Sequence, residues 1–311
     1  MSKSKNTILT EDSSLAAKVL KEGGIVLFPT ETVYGIGADS RNLSACLEIY
    51  KIKNRPADNP LIVHLGNPGM IQLIGEVSDS VRSLIYKYMP GPLSLVLKKI
   101  DESVFSTGLP TVAVRVPSHP KVLEMLSFFG GPVSAPSANL SGQPSITRLE
   151  DAISEFDGLV DLILKGPEPE IGLESTVMDF SVDPPKLLRP GYWGFEELKR
   201  FVPNLIGVSS LKDGETPASP GMKYRHYAPT AKVFLTETRS PESETAAIGI
   251  NIPSGWKFSL SVKDNSEYMK HLYSFFRDCD RLGIKEIYCF PPANESGEEA
   301  ILNRILKAQE R

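Results

Sequence analysis

Five short stretches of the chain concentrate side chains that could grip an anion. In KIKNRPADNPLIVHL, residues 51–65, Lys53 and Arg55 stand two apart, and Asn59 and His64 follow on an apolar background. A flexible ammonium beside a planar guanidinium fork suits a polyphosphate. Cations ending a helix also complement its negative pole, which accounts for one or two of Lys51, Lys53 and Arg55. His64 alternates with Ile62 on one strand face, where a lone histidine is by default a satisfied core residue. In TVAVRVPSH, residues 111–119, period-two alternation sends Thr111, Ala113 and Arg115 to one face. If that face is covered, the arginine needs a carboxylate or phosphate partner; otherwise this is an edge strand with a solvated arginine.

FPTETVYGIG, residues 28–37, breaks from an apolar strand into hydroxyls, Glu31 and Tyr34. It reads either as a polar strand-to-helix loop or as a ligand loop at a strand's C-terminal end. SAPSANLSGQPS, residues 134–145, offers neutral donors, Ser137, Asn139 and Ser145 among them, on a proline-stiffened loop, and is equally an ordinary turn cluster. SPGMKYRHYAP, residues 219–229, has a linker's composition but carries Lys223, Tyr224, Arg225, His226 and Tyr227. Together these stretches supply cations, hydroxyls and amides with few carboxylates. That inventory points to an anionic ligand and to chemistry driven by positioning, and nucleotidyl or phosphoryl transfer fits it better than acid–base hydrolysis.

Several other chemistries lack their signatures. There is no G-x4-G-K-[ST] and no G-x-S-x-G, and GIGADS at 35–40 fails the dinucleotide fingerprint at its third glycine. The three cysteines and four histidines are scattered, with no metal-ligand or disulfide spacing, so any metal arrives with a ligand.

The elements that must hold these stretches alternate. Helical patterns are expected at about 11–22, 43–53, 79–88, 120–129, 147–156 and 195–201, and strands at 25–29, 61–65, 94–98, 111–116, 132–135, 159–164, 175–180 and 186–189. Residues 207–230 lack periodicity, which places a boundary there. Beyond it, strands AKVFL, AAIGIN and EIYCF with helices at 266–282 and 297–309 read as a small βαβ unit with parallel strands. The expectation is a mixed α/β protein of two domains, 1–207 and 231–311, joined by 208–230.

Composition agrees with a folded protein: 311 residues are 41% hydrophobic and 23% charged. A net charge of −4 argues against bulk electrostatic coating of nucleic acid. The N-terminus lacks an apolar signal core, and no run reaches the length of a membrane span, so a cytoplasmic protein is expected.

FPTETVYGIG, the K-x-R of KNRPADNPLIVH, PGPLSLVLKK, VAVRVPSHP, the S-x-N of SAPSANLSGQPS, ESTVMDF, LLRPG and SPGMKYRHYAP closely resemble, in order, the two-domain threonylcarbamoyl-AMP synthases with a YrdC-like catalytic domain. The resemblance is dense over about 10–230; the C-terminal unit resembles the family's Rossmann-like accessory domain in pattern. It implies a YrdC-like twisted mixed sheet with flanking helices plus a smaller Rossmann-like α/β domain. It further implies an enzyme that joins L-threonine, bicarbonate and ATP into L-threonylcarbamoyladenylate, releasing pyrophosphate, with Mg2+ on the phosphates. The product would serve a downstream machinery that modifies the adenosine beside the anticodon of certain tRNAs.

By the same resemblance, Thr32, His64, Arg115, Ala135 and Ser175 would bind threonine. Lys53 and Arg55 would be catalytic and, with Asn59, Thr111, Ser137, Asn139, Ser145 and Arg189, would hold ATP. Tyr224, Arg225, His226 and Tyr227 would fold back as a lid on the nucleotide. Two rivals stand beside this reading: a double-stranded RNA or tRNA-binding module without catalysis, and a carbamoyl-transferring maturation enzyme, whose acylphosphatase and zinc-finger segments have no counterpart here.

Overall fold

The computed structural model describes residues 5–207, 227–241 and 244–309. Its larger sheet takes strands β1 (Ile8–Thr10), β2 (Val26–Phe28), β3 (Gly35–Asp39), β4 (Ile62–His64) and β5 (Leu93–Lys98). It continues with β6 (Thr111–Arg115), β7 (Val133–Ala135), β8 (Leu162–Leu164), β9 (Thr176–Asp179) and β10 (Lys186–Arg189). Their lateral order is β1-β8-β2-β3-β7-β4-β6-β5-β9-β10, with parallel and antiparallel neighbours mixed.

Helices α1 (Ser13–Lys21), α2 (Leu43–Lys53), α3 (Asp79–Tyr88), α4 (Pro120–Phe129), α5 (Leu149–Phe156) and α6 (Phe195–Phe201) flank this sheet. Their ends follow local chemistry. The Asp12 carboxylate accepts the Ser14 and Leu15 amides to start α1, and the Asn42 side chain accepts the Ala45 amide to start α2. Pro120 opens α4 and Gly130, in the left-handed region at φ 75°, closes it. The apolar faces of α1 and α4 bury Leu20, Val122 and Met125 against Phe28 and Leu162, while Ile49 and Phe156 cover the sheet with Leu27 and Ile36.

The second sheet is all parallel, in the order β11 (Lys232–Leu235), β14 (Glu286–Cys289), β12 (Thr245–Gly249), β13 (Phe258–Ser261). Helices α7 (Asn265–Arg281) and α8 (Glu298–Gln309) accompany it. One contiguous apolar cluster joins this unit to the first: Val33 and Leu173 lie with Tyr227, Tyr268, Leu272 and Ile301.

The mixed α/β class and the parallel second sheet match the sequence reading, but three strands escaped it. β1, Ile-Leu-Thr, is only three residues long, and β13, Phe-Ser-Leu-Ser, alternates apolar with polar residues but spans only four. β3 lies in a glycine-rich segment of low strand propensity, and it pairs antiparallel with β2. The stretch after Phe28 is therefore a strand-to-strand connection and not a strand-to-helix loop. Helix α5 begins at Leu149, two residues later than the pattern at 147 suggested.

Candidate active site

One cavity gathers the ends of many elements. Thr30 and Thr32 come from the connection between β2 and β3, Lys53 and Arg55 from the end of α2, and His64 from β4. Arg115 ends β6, Ala135 ends β7 with Ser137 and Asn139 just after it, Glu174 and Ser175 precede β9, Arg189 ends β10, and Tyr227 closes the lining.

Helix α2 stops because Asn54 turns left-handed at φ 49°, so Lys53 is its last residue and Arg55 leaves in a new direction. The buried Lys53 ammonium donates to the Ser137 carbonyl at 2.6 Å and to the Asn139 carbonyl. Arg55 donates to the Pro60 carbonyl at 3.1 Å and to that of Asn59. Burial, and next the neighbouring Arg55, pull Lys53 well below the usual lysine range; burial lowers Arg55 to about 10. Arg189 donates to the Ser175 carbonyl at 3.0 Å and to its hydroxyl at 3.1 Å. The hydrogen bonds named for these three side chains go to uncharged oxygens, with the Asp58 and Glu174 carboxylates in their electrostatic surroundings, an arrangement that can turn donors toward a phosphate chain.

Arg115 sits on an interior strand between β4 and β5, which removes the edge-strand alternative. It donates to Glu31 at 2.7 Å and to the Thr32 hydroxyl at 2.9 Å, while the second oxygen of the Glu31 carboxylate is buried without a hydrogen bond. His64 is buried; its Nδ1 lies 3.1 Å from the Ile62 carbonyl and its ring meets Phe28 edge-on. Burial and the charge of Arg115 hold its pKa at about 3, so the ring is neutral at physiological pH. The Ser175 hydroxyl pairs with that of Ser94 at 2.8 Å. Gly191 lets the chain after β10 press on this segment: a Cβ there would lie 2.4 Å from the Thr176 amide nitrogen.

Of the residues singled out in the sequence, Thr32, Lys53, Arg55, His64, Arg115, Ala135, Ser137, Asn139, Ser175, Arg189 and Tyr227 share this cavity. Thr111, Asn59 and Ser145 are outside its lining. Thr111 shares a strand face with Arg115 but begins β6, pairing with Lys98, roughly 13 Å along the strand. Asn59 is buried beneath Arg55, and the Ser145 hydroxyl donates to Glu174 at 2.5 Å, one contact removed from the cavity. Tyr224, Arg225 and His226 lie outside the described residues. Glu174 and Thr30 were missed: the first was visible only as the opening residue of ESTV, the second only as one hydroxyl among several.

The comparisons with known proteins agree with this geometry. A family model described as telomere recombination, covering the Sua5, YciO and YrdC proteins, matches residues 18–191, and a threonylcarbamoyl-AMP synthase C-terminal domain model matches 194–309. A threonylcarbamoyl-AMP synthase of Pyrococcus abyssi is 37% identical over 94% of this chain and 93% of its own, and one of Schizosaccharomyces pombe is 36% identical over 94% and 87%. The crystal structure of Pyrococcus abyssi Sua5 complexed with L-threonine superposes with a TM-score of 0.89 at 34% identity, covering 97% of each chain. Escherichia coli YciO, at 23% identity and a TM-score of 0.54, shares the fold of the larger unit. Sheet, cavity and matches together define a YrdC-like α/β nucleotidyltransferase. The chain belongs to the threonylcarbamoyl-AMP synthase family, whose activity serves the threonylcarbamoyl modification of tRNA.

Proposed function

We propose that this cavity forms L-threonylcarbamoyladenylate from L-threonine, bicarbonate and ATP, with its residues divided into an amino-acid end and a phosphate end. The observation that carries this reading is the convergence of Lys53, Arg55, Arg115 and Arg189 with neutral hydroxyl and amide groups on one cavity. Thr32, His64, Ala135 and Ser175 surround the threonine, and Arg115 takes its carboxylate. Lys53, Arg55 and Arg189 take the triphosphate, with Ser137 and Asn139 on the nucleotide. Asn59 and Ser145 support these groups from behind, and Thr111 acts from the far end of β6. Tyr227, buried at the rim, covers the nucleotide. The unit comprising 1–207 carries the chemistry, 208–230 joins the units, and 231–311 is the accessory unit.

In this scheme the threonine amine attacks CO2 or bicarbonate. A nitrogen–carbon bond forms, and from bicarbonate one oxygen leaves as water. A carbamate oxygen then attacks the α-phosphorus of ATP, forming an oxygen–phosphorus bond while the α–β bridge breaks and pyrophosphate departs. No protein nucleophile is required; the chain aligns the reactants and neutralises charge developing on the phosphates. Mg2+ enters as part of the ATP complex. Among the described residues no three His, Cys, Asp or Glu side chains cluster as a metal site, and no step is assigned to a protein-bound metal. The adenylate passes to the machinery that transfers the threonylcarbamoyl group to tRNA, with at most weak tRNA binding by this chain. Among the described residues no helix is long and apolar enough to cross a membrane. We place the protein in the cytoplasm, where these substrates meet.

The test is pyrophosphate release under single omissions. Release that requires threonine, bicarbonate and ATP together, and falls by roughly a hundredfold or more in Lys53→Ala, supports the scheme. Release independent of threonine, or carbamoyl-phosphate turnover in its place, would sink it.

A further inference from the structure

The accessory unit reaches the cavity wall through one carboxylate. Glu174 lines the cavity and is 5% exposed. Its side chain accepts from the Ser145 hydroxyl at 2.5 Å, from the Tyr273 hydroxyl of α7 at 2.9 Å and from Nε of Arg304, on α8, at 3.1 Å. Arg304, fully buried, also donates to the Pro190 carbonyl at 2.8 Å, beside Arg189. The Tyr227 ring stacks on Tyr273 at 5.5 Å, and the Arg304 guanidinium lies 5.2 Å from its centroid. Burial alone would raise the Glu174 pKa; Arg304 first, then Arg189 and Ser145, bring it below the usual carboxylate range.

Contact between the units is close all along this seam. A Cβ on Gly172 would lie 2.5 Å from the Lys270 Cα, and Gly172 itself donates to the Thr32 carbonyl at 3.0 Å. Arg277 of α7 donates to the Pro144 carbonyl at 2.6 Å, next to Ser145. Side chains of the second unit therefore touch three strips of the cavity wall: the approach to β9, the exit from β10, and the loop after β7.

We propose that Arg304 and Tyr273 are positioning residues of the synthase site, acting through Glu174 on Ser145, Ser175 and Tyr227. The fit is one of charge and shape: a carboxylate in a cavity built for phosphates repels the substrate unless a cation from outside the cavity neutralises it. Arg304 does so from behind, leaving Arg189 to the ligand, and Tyr273 sets the plane of the Tyr227 ring. The second unit is by this account a structural part of the active site. The proposal rests on the synthase reading of the cavity.

The experiment is a double-mutant cycle on kcat/KM for ATP in the full chain, with thermal unfolding followed in parallel. Arg304→Gln is expected to lower kcat/KM roughly ten- to a hundredfold, as expected of a site held slightly out of place, and Arg304→Lys to recover part of the loss. Glu174→Gln combined with Arg304→Gln should be no worse than the poorer single variant, because the two act through one another. Arg281→Gln removes the pair between the half-exposed Arg281 of α7 and Asp151 of α5, on the same seam but outside the cavity lining, and leaves Asp151 its pair with Arg148; it should stay within about twofold of the parent. If Arg304→Gln does not fold, Tyr273→Phe decides the matter, since it deletes one hydroxyl and keeps the stacked ring; a several-fold fall is expected. Strictly additive losses, an Arg281→Gln loss as large as that of Arg304→Gln, or an unchanged Tyr273→Phe would overturn the proposal. An inactive parent would instead sink the synthase reading.

Discussion

At the residue scale, the site depends on ionisable groups held where water cannot reach them. His64 is the clearest case, since its folded-state pKa of about 3 lies below the ordinary 6.5. Between these values the unfolded chain binds a proton that the folded chain refuses, so stability is full above the ordinary value and falls as pH drops toward 3. Each unit of that descent costs up to about 1.4 kcal/mol. Denaturant unfolding of the parent and His64→Asn across that window is expected to give a shallower pH slope in the variant; equal slopes would remove His64 as the cause. The sequence supplied much of this detail. Lys53 and Arg55 were legible as a cationic pair from spacing alone, and Arg115 from strand alternation. Glu174 was not, because what defines it is contact with Tyr273 and Arg304, 99 and 130 residues away in the chain.

At the element scale, helix and strand ends aim the side chains. Asn54 ends α2 in the left-handed region, where a β-branched side chain is strained by about 1–3 kcal/mol and glycine is not. Asn54→Gly is expected to keep the parent's melting temperature and turnover within narrow limits. Asn54→Val should lose stability of that order and raise the KM for ATP, because Lys53 and Arg55 flank the turn. Steady-state kinetics with calorimetry checks both; a Val variant equal to the Gly variant contradicts the assignment. Periodicity located α2, α3, α4 and α6 because their apolar faces and caps are local signals. It did not locate β3, whose GIGAD sequence has little strand propensity and pairs only because β2 and β7 lie beside it.

At the scale of the molecule, two sheets share a seam. Helices α5 and α7 face each other through Arg148–Asp278, Asp151–Arg281 and Glu155–Arg277, the last a pair about 90% buried at 2.8 Å. Glu155→Gln would leave Arg277 buried without its counter-charge, a cost of about 3 kcal/mol. Calorimetry should then register a lower melting temperature for the whole chain, and an unchanged transition would mean that the seam contributes little. The charged residues themselves were visible in the sequence, but nothing local says that side chains 122 or more residues apart meet.

The central claim is that carbon from bicarbonate, the threonine nitrogen and the α-phosphate of ATP end in one molecule. Mass spectrometry of the product formed with 13C-bicarbonate, L-threonine, ATP and Mg2+ tests it most directly, with L-serine as the control amino acid. The account predicts threonylcarbamoyladenylate carrying the label, with a stoichiometric amount of pyrophosphate. Consumption of ATP with no labelled adenylate, from a folded protein, would contradict it.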